Sequence, residues 1–244
     1  RVTSGDMRTF HAHRYALAGA KIIVSGKIPG NLTGLLNDHF GSVSLNSNAK
    51  TPEYRLNGHP VNPRVHVVKQ NAVQSAIRIG KKMFNKMHPD YFRLKVLNTV
   101  LGGYFGSRLM TNIREDKGYT YGIGSALVSL QNSGYFFIAS EVGSDVTEEA
   151  IKEVYHEINL LQQDTIPDSE LKLVKNYMLG SFLRSMDGAF AMAEYIKGLI
   201  EYGLDYDFYS RFIETVREIS PAELRDLAQQ YLSRDTLCEL TVGN

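Results

Sequence analysis

The chain has 244 residues, enough to bury a real core in one large domain or two small ones. Hydrophobic residues make up 43% and charged residues 22%, and 27 basic against 26 acidic side chains leave a formal net charge of +1. That balance gives no general attraction to nucleic acid or an anionic membrane, and no apolar run approaches the roughly 18 residues that cross a bilayer.

The N-terminus, Arg1-Val2-Thr3-Ser4-Gly5-Asp6, is polar, lacks Met and carries no signal-peptide pattern, so it reads as a processed product or an excerpt of a longer protein. Ala20 to Gly26 is a β-branched apolar run and reads as a buried strand. Leu32, Leu35, Leu36 and Phe40 then recur at helical spacing until Gly41. Residues 46–63, rich in Asn, Pro and Gly, read as a surface connection. Strands are expected at 64–68 and 75–80. A helix then follows His88-Pro89-Asp90 and ends at Gly102-Gly103. A short helix over 107–117 is closed by Gly118, and residues 119–130 and 135–142 pair as a hairpin. The remainder is mainly helical. Thr147 or a neighbour caps one helix, Pro167-Asp168 opens another, and Ser220-Pro221-Ala222-Glu223 carries a full capping box. A final strand covers 237–242. The pattern implies one α+β domain over residues 1–244, with a largely antiparallel sheet and helices packed on one side.

Histidines occur at 11, 13, 39, 59, 66, 88 and 156, none within H-E-x-x-H or its inverse H-x-x-E-H. His11 and His13 would share a side if their segment were a strand, but no third ligand accompanies them. His156 and Glu157 diverge on a helix. No metal site is expected in this chain. Cys238, the single cysteine, lies in an apolar strand and reads as a buried small hydrophobe. It excludes an internal disulfide and fits bacterial cytoplasm or periplasm equally. Gly102 to Ser107 has the glycines of a phosphate loop, but follows a helix and lacks the lysine.

The distinctive stretch is Leu101-Gly102-Gly103-Tyr104-Phe105-Gly106-Ser107-Arg108-Leu109, continuing to Ile113-Arg114-Glu115 and Gly118-Tyr119-Thr120-Tyr121. It resembles the L-G-G-G-x-x-S-R-L and I-R-E-x-x-G-L-x-Y signature of the C-terminal, non-catalytic domains of pitrilysin/insulinase-type zinc peptidases. Mitochondrial processing peptidase and the bc1 core subunits share that fold. Phe10 to Tyr15, Gln74, Pro89-Asp90-Tyr91 and Ser220 to Glu223 fall in the family's order. Tyr104 stands where the family usually has a third glycine.

The resemblance implies a substrate-binding, chamber-closing half of a zinc metalloendopeptidase, inactive alone. Zinc would sit in a catalytic half, fused or separate, with an extended peptide between the halves and a homodimer as one assembly. It assigns substrate binding to Arg114 and Tyr121 and a peptide-contact loop to Gly103 and Tyr104. As ordinary residues, Arg114 would be a helix-end cation and Tyr121 a sheet-packing aromatic. Tyr119, two positions before Tyr121, would lie on the same strand face, and Arg108 and Glu115 would serve packing, capping or salt bridging. The alternative is a structural or peptide-binding scaffold of the same fold without a peptidase role.

Overall fold

Residues 74–83 alternate between a buried and an open side, and this two-residue period places them at the centre of a five-stranded sheet in the computed structural model. The structure describes residues 1–15, 19–42 and 64–244, so the connection expected at 46–63 lies outside the described residues. These fall into two compact units, Arg1–His59 with Asp187–Lys197, and Pro60–Met186 with Gly198–Asn244.

The first unit holds α1 (Ser4–Arg14), capped by Thr3 and Asp6, and α2 (Leu32–Leu36), which continues as a π-wound turn over Asn37–Gly41. It also holds the first part of α6 (Ala189–Tyr202). Ser25 Oγ donates to the Ala189 carbonyl at 2.6 Å, joining the two segments of this unit. One expectation fails here, and one condition set on the histidines is not met. Residues 20–26 form no strand, because β propensity needs a ladder partner and none pairs with them among the described residues. His11 and His13 lie on a helix, where residues two apart point to different sides.

In the second unit the strands are β1 (Arg64–Val68), β2 (Gln74–Met83), β3 (Thr120–Leu130), β4 (Ser133–Gly143) and β5 (Cys238–Gly243), ordered β1-β5-β2-β4-β3. Only β1–β5 pair in parallel. The register Ile77↔Ser140 and Ile79↔Ile138 puts the alternate residues Ile77, Ile79, Phe136, Ile138 and Val142 on one face, all buried. Helices α3 (Tyr91–Gly102) and α4 (Thr147–Gln163) pack on that face. Helix α8 (Pro221–Tyr231) lies against both, and α5 (Asp168–Ser185) and α7 (Asp207–Glu218) pack against α3. The fold is the expected α+β arrangement. Buried Leu97, Leu101, Val154, Ile158, Val174 and Leu224 fill the space between the layers. The N-cap position of α4 falls to Val146, the neighbour of Thr147, without a side-chain bond, while the Thr147 hydroxyl donates back to the carbonyls of Gly143 and Ser144.

Candidate functional site

The segment after α3 is shaped by how closely the helix approaches β3. A Cβ on Gly102 would stand 2.7 Å from the backbone nitrogen of Ser125, so only glycine lets helix and strand meet there. After the turn at residues 103–107 the chain winds into a helix, and over Met110–Asp116 it is π-wound rather than α-helical. Lys117 N–H accordingly reaches back five residues to the Asn112 carbonyl at 3.1 Å. Gly118, at φ 65°, then lets Tyr119 N–H turn back to the Ile113 carbonyl at 3.0 Å, which ends the helix as expected. Leu109, Met110 and Ile113 are buried, leaving Arg114 half-exposed on the outer side.

Arg114 and Tyr121 are neighbours. Arg114 Nε donates to the Tyr121 carbonyl oxygen at 3.0 Å, and its guanidinium lies over the Phe105 ring, 4.8 Å from the centroid. Glu115 Oε1 is 3.7 Å from Nη1, a loose ion pair. Among the described residues the terminal nitrogens carry no hydrogen bond, so they remain available as donors. The Tyr121 side chain is 93% exposed and does not pack on the sheet. Tyr119 does not share its face: the ladder is irregular between Thr120 and Ile123, and Tyr119 precedes β3 and packs against the core. Phe105, 64% exposed beside Arg114, was not singled out from the sequence. Its available signal was a bulky aromatic left in a glycine-bounded turn.

The loop residues Gly103 and Tyr104 behave differently from each other. Gly103 is exposed, whereas the Tyr104 ring packs on Tyr177 of α5, with centroids 4.8 Å apart. Burial, followed by the Glu170 and Tyr177 side chains nearby, raises the Tyr104 phenol above its usual pKa. Tyr104 lines a groove of about 850 Å³ that also involves Arg108, Asn112, Glu157, Glu170 and Leu173. Arg114 and Tyr121 do not line it. In the groove, Arg108 grips Glu170 through two hydrogen bonds of 2.8 Å, and Asn112 donates to Glu153 at 3.0 Å and to Glu157 at 2.7 Å. These contacts satisfy the polar wall and give Arg108 the salt-bridging role expected of it.

Among the described residues the donors do not gather into a set that fits zinc. The described histidines are dispersed over α1, the π-wound turn, β1, the loop before α3, and α4, and no group of three or more His, Cys, Asp or Glu among the described residues could hold a metal ion. His88 is stacked on Phe84 at 3.7 Å and accepts the Asp90 N–H, so it serves the turn that starts α3. Cys238 is half-buried on β5, not buried as expected, because it faces away from the helix layer. No helix among the described residues is long and apolar enough to cross a membrane.

Comparison with known proteins agrees with this architecture. An uncharacterized zinc protease of Mycobacterium leprae is 23% identical over 239 residues, spanning 96% of this chain and 53% of that protein. A peptidase M16 inactive domain from Pseudomonas fluorescens matches with a TM-score of 0.84 at 21% identity, covering 99% of this chain and 58% of that one. A protease from Helicobacter pylori gives 0.85 at 18% identity, covering 99% and 59%. The chain thus spans about half the length of the curated relatives it matches. The model of the family described as the peptidase M16 inactive domain matches residues 1–178, beginning just ahead of α1 and taking in the Arg114–Tyr121 pair, and the chain belongs to that family.

Proposed function

We propose that residues 1–244 together act as the substrate-binding, chamber-closing half of a zinc metalloendopeptidase. The zinc-binding half lies elsewhere, in the same polypeptide or in another subunit. An extended peptide is held between the halves, and this half supplies donors, not metal. The observation that carries the reading is the state of Arg114: one nitrogen is anchored on the Tyr121 carbonyl while the terminal nitrogens carry no hydrogen bond among the described residues. An anchored guanidinium with free N–H groups suits a peptide carbonyl oxygen, whose hydrogen bond to a charged donor is stronger than to a neutral one. The Tyr121 phenol, exposed beside it, is a second donor. Membership of an inactive-domain family and relatives named zinc proteases support placing the metal in the other half.

The test is the variant Arg114→Ala combined with Tyr121→Phe, assayed in the assembled peptidase with an unstructured fluorogenic peptide. The expected result is loss of most turnover with unchanged circular dichroism and melting. Wild-type turnover would remove both residues from substrate binding.

A further inference from the structure

We propose that Phe105 is a positioning residue for Arg114, an inference that rests on the reading of Arg114 as a donor to the peptide. The argument begins with what Phe105 forgoes. It stands in the glycine-bounded turn between α3 and the π-wound helix, and 64% of its surface stays in water, so it contributes little to the core. What its ring does touch is a cation: the Arg114 guanidinium carbon is 4.8 Å from the ring centroid. Its neighbour Tyr104 is engaged with Tyr177 and lines the groove, so the two adjacent aromatics of this turn serve different partners.

The restraint this places on Arg114 is specific. A long arginine side chain samples many rotamers, and ordering it at the moment of binding weakens the complex. The face of Phe105 holds the guanidinium against the ring, and the Nε–H bond to the Tyr121 carbonyl limits rotation within the guanidinium plane. Neither contact uses the terminal nitrogens, and the Glu115 carboxylate, 3.7 Å from Nη1, is too distant for a hydrogen bond. The donors therefore meet the peptide already oriented, and Phe105 acts on the reaction through Arg114 without touching the reacting atoms.

Three variants test this. Phe105→Leu keeps an apolar side chain but removes the π face; Phe105→Tyr keeps the face; Arg114→Ala removes the guanidinium. In the full chain, the Arg114 Nε–H resonance is followed by nuclear magnetic resonance. Phe105→Leu is expected to abolish its ring-current shift and speed its exchange with water, while Phe105→Tyr retains both properties and all variants melt together. In the assembled peptidase with a fluorogenic peptide, Phe105→Leu is expected to lower kcat/KM roughly two- to fivefold, the scale of an exposed cation–π contact, with Phe105→Tyr restoring it. In the Arg114→Ala background the Leu substitution is expected to have no further effect.

An unchanged Arg114 Nε–H signal in Phe105→Leu overturns the proposal. So does a loss of equal size in the Arg114→Ala background, which would make Phe105 a direct substrate contact. Wild-type turnover of Arg114→Ala itself would instead remove the parent reading of Arg114, and the resonance data would still decide whether Phe105 holds the side chain.

Discussion

Arg108 and Glu170 meet through a two-pronged ion pair, Nε to Oε1 and Nη2 to Oε2 at 2.8 Å each, which ties the helical turn leading into the π-wound segment to the first turn of α5. Both side chains are largely shielded, and the carboxylate, by accepting these bonds, holds the guanidinium above its usual pKa. Arg108→Ala or Glu170→Ala is expected to cost about 1.5–3 kcal/mol in urea unfolding, the range for hydrogen bonds to charged groups. The double variant should cost less than the two single losses summed, because removing either partner already breaks the pair. Arg108→Lys should recover only part, since an ammonium cannot occupy both oxygens as the fork does.

Gly102 and Gly118 share a helix–strand region but require glycine for different reasons. Gly102→Ala would drive a Cβ into the Ser125 backbone, so α3 must move off β3, at a cost of about 1–3 kcal/mol. Gly118→Ala meets no atom within 4 Å but must hold φ 65°, at roughly 1–2 kcal/mol. Gly118→Asn should be milder than Gly118→Ala, whereas Gly102→Asn should be worse than Gly102→Ala. Thermal melts of the four variants decide this ordering.

The capping box of α8 sets a pH dependence. Ser220 N–H and Oγ donate to Glu223 Oε2 at 2.9 and 2.8 Å, and Glu223 N–H donates to Ser220 Oγ at 3.3 Å. The backbone bond from Ser220, then the hydroxyl, hold the Glu223 carboxyl below its ordinary value of 4.5. A depressed folded pKa means this contribution is fully present above the unfolded value and is lost as pH falls through the folded one. Ser220→Ala should destabilise by about 1 kcal/mol at neutral pH. Glu223→Gln should flatten the stability–pH curve within the carboxylate range, as read from urea midpoints above and below it.

Tyr121 offers a clean separation of function from folding. Its side chain is 93% exposed and its role toward Arg114 is played by its backbone carbonyl, so Tyr121→Ala should leave the melting temperature unchanged. On the proposed substrate-binding role, the same change in the assembled peptidase should lower kcat/KM for an unstructured peptide roughly tenfold, on the scale of one lost hydrogen bond. Unaltered cleavage would make Tyr121 a bystander.

Much of this architecture was legible from local chemistry. The period-two run at 75–80, the apolar stripes of α3, α4 and α8, the Gly118 stop and the Ser220–Glu223 box each depend on near neighbours in the chain, so spacing and residue type sufficed to place them. The 20–26 segment misled because its β-branched composition describes a strand in need of a partner, and pairing is a long-range event. Tyr119 and Tyr121 misled for a related reason: strict alternation assumes a regular ladder, and the break between Thr120 and Ile123 lies in the pairing with β4.

The element types, the turn glycines and the resemblance that marked Arg114 and Tyr121 could be read along the chain, because they follow from short-range sterics, capping and residue order. Long-range packing, in contrast, rests Arg114 on the Tyr121 carbonyl and the face of Phe105, holds Arg108 on Glu170 and turns Tyr104 to Tyr177. Those contacts arise where the chain after α3 folds back against β3 and α5. The direction of a long side chain there is set by partners that spacing along the chain cannot reveal.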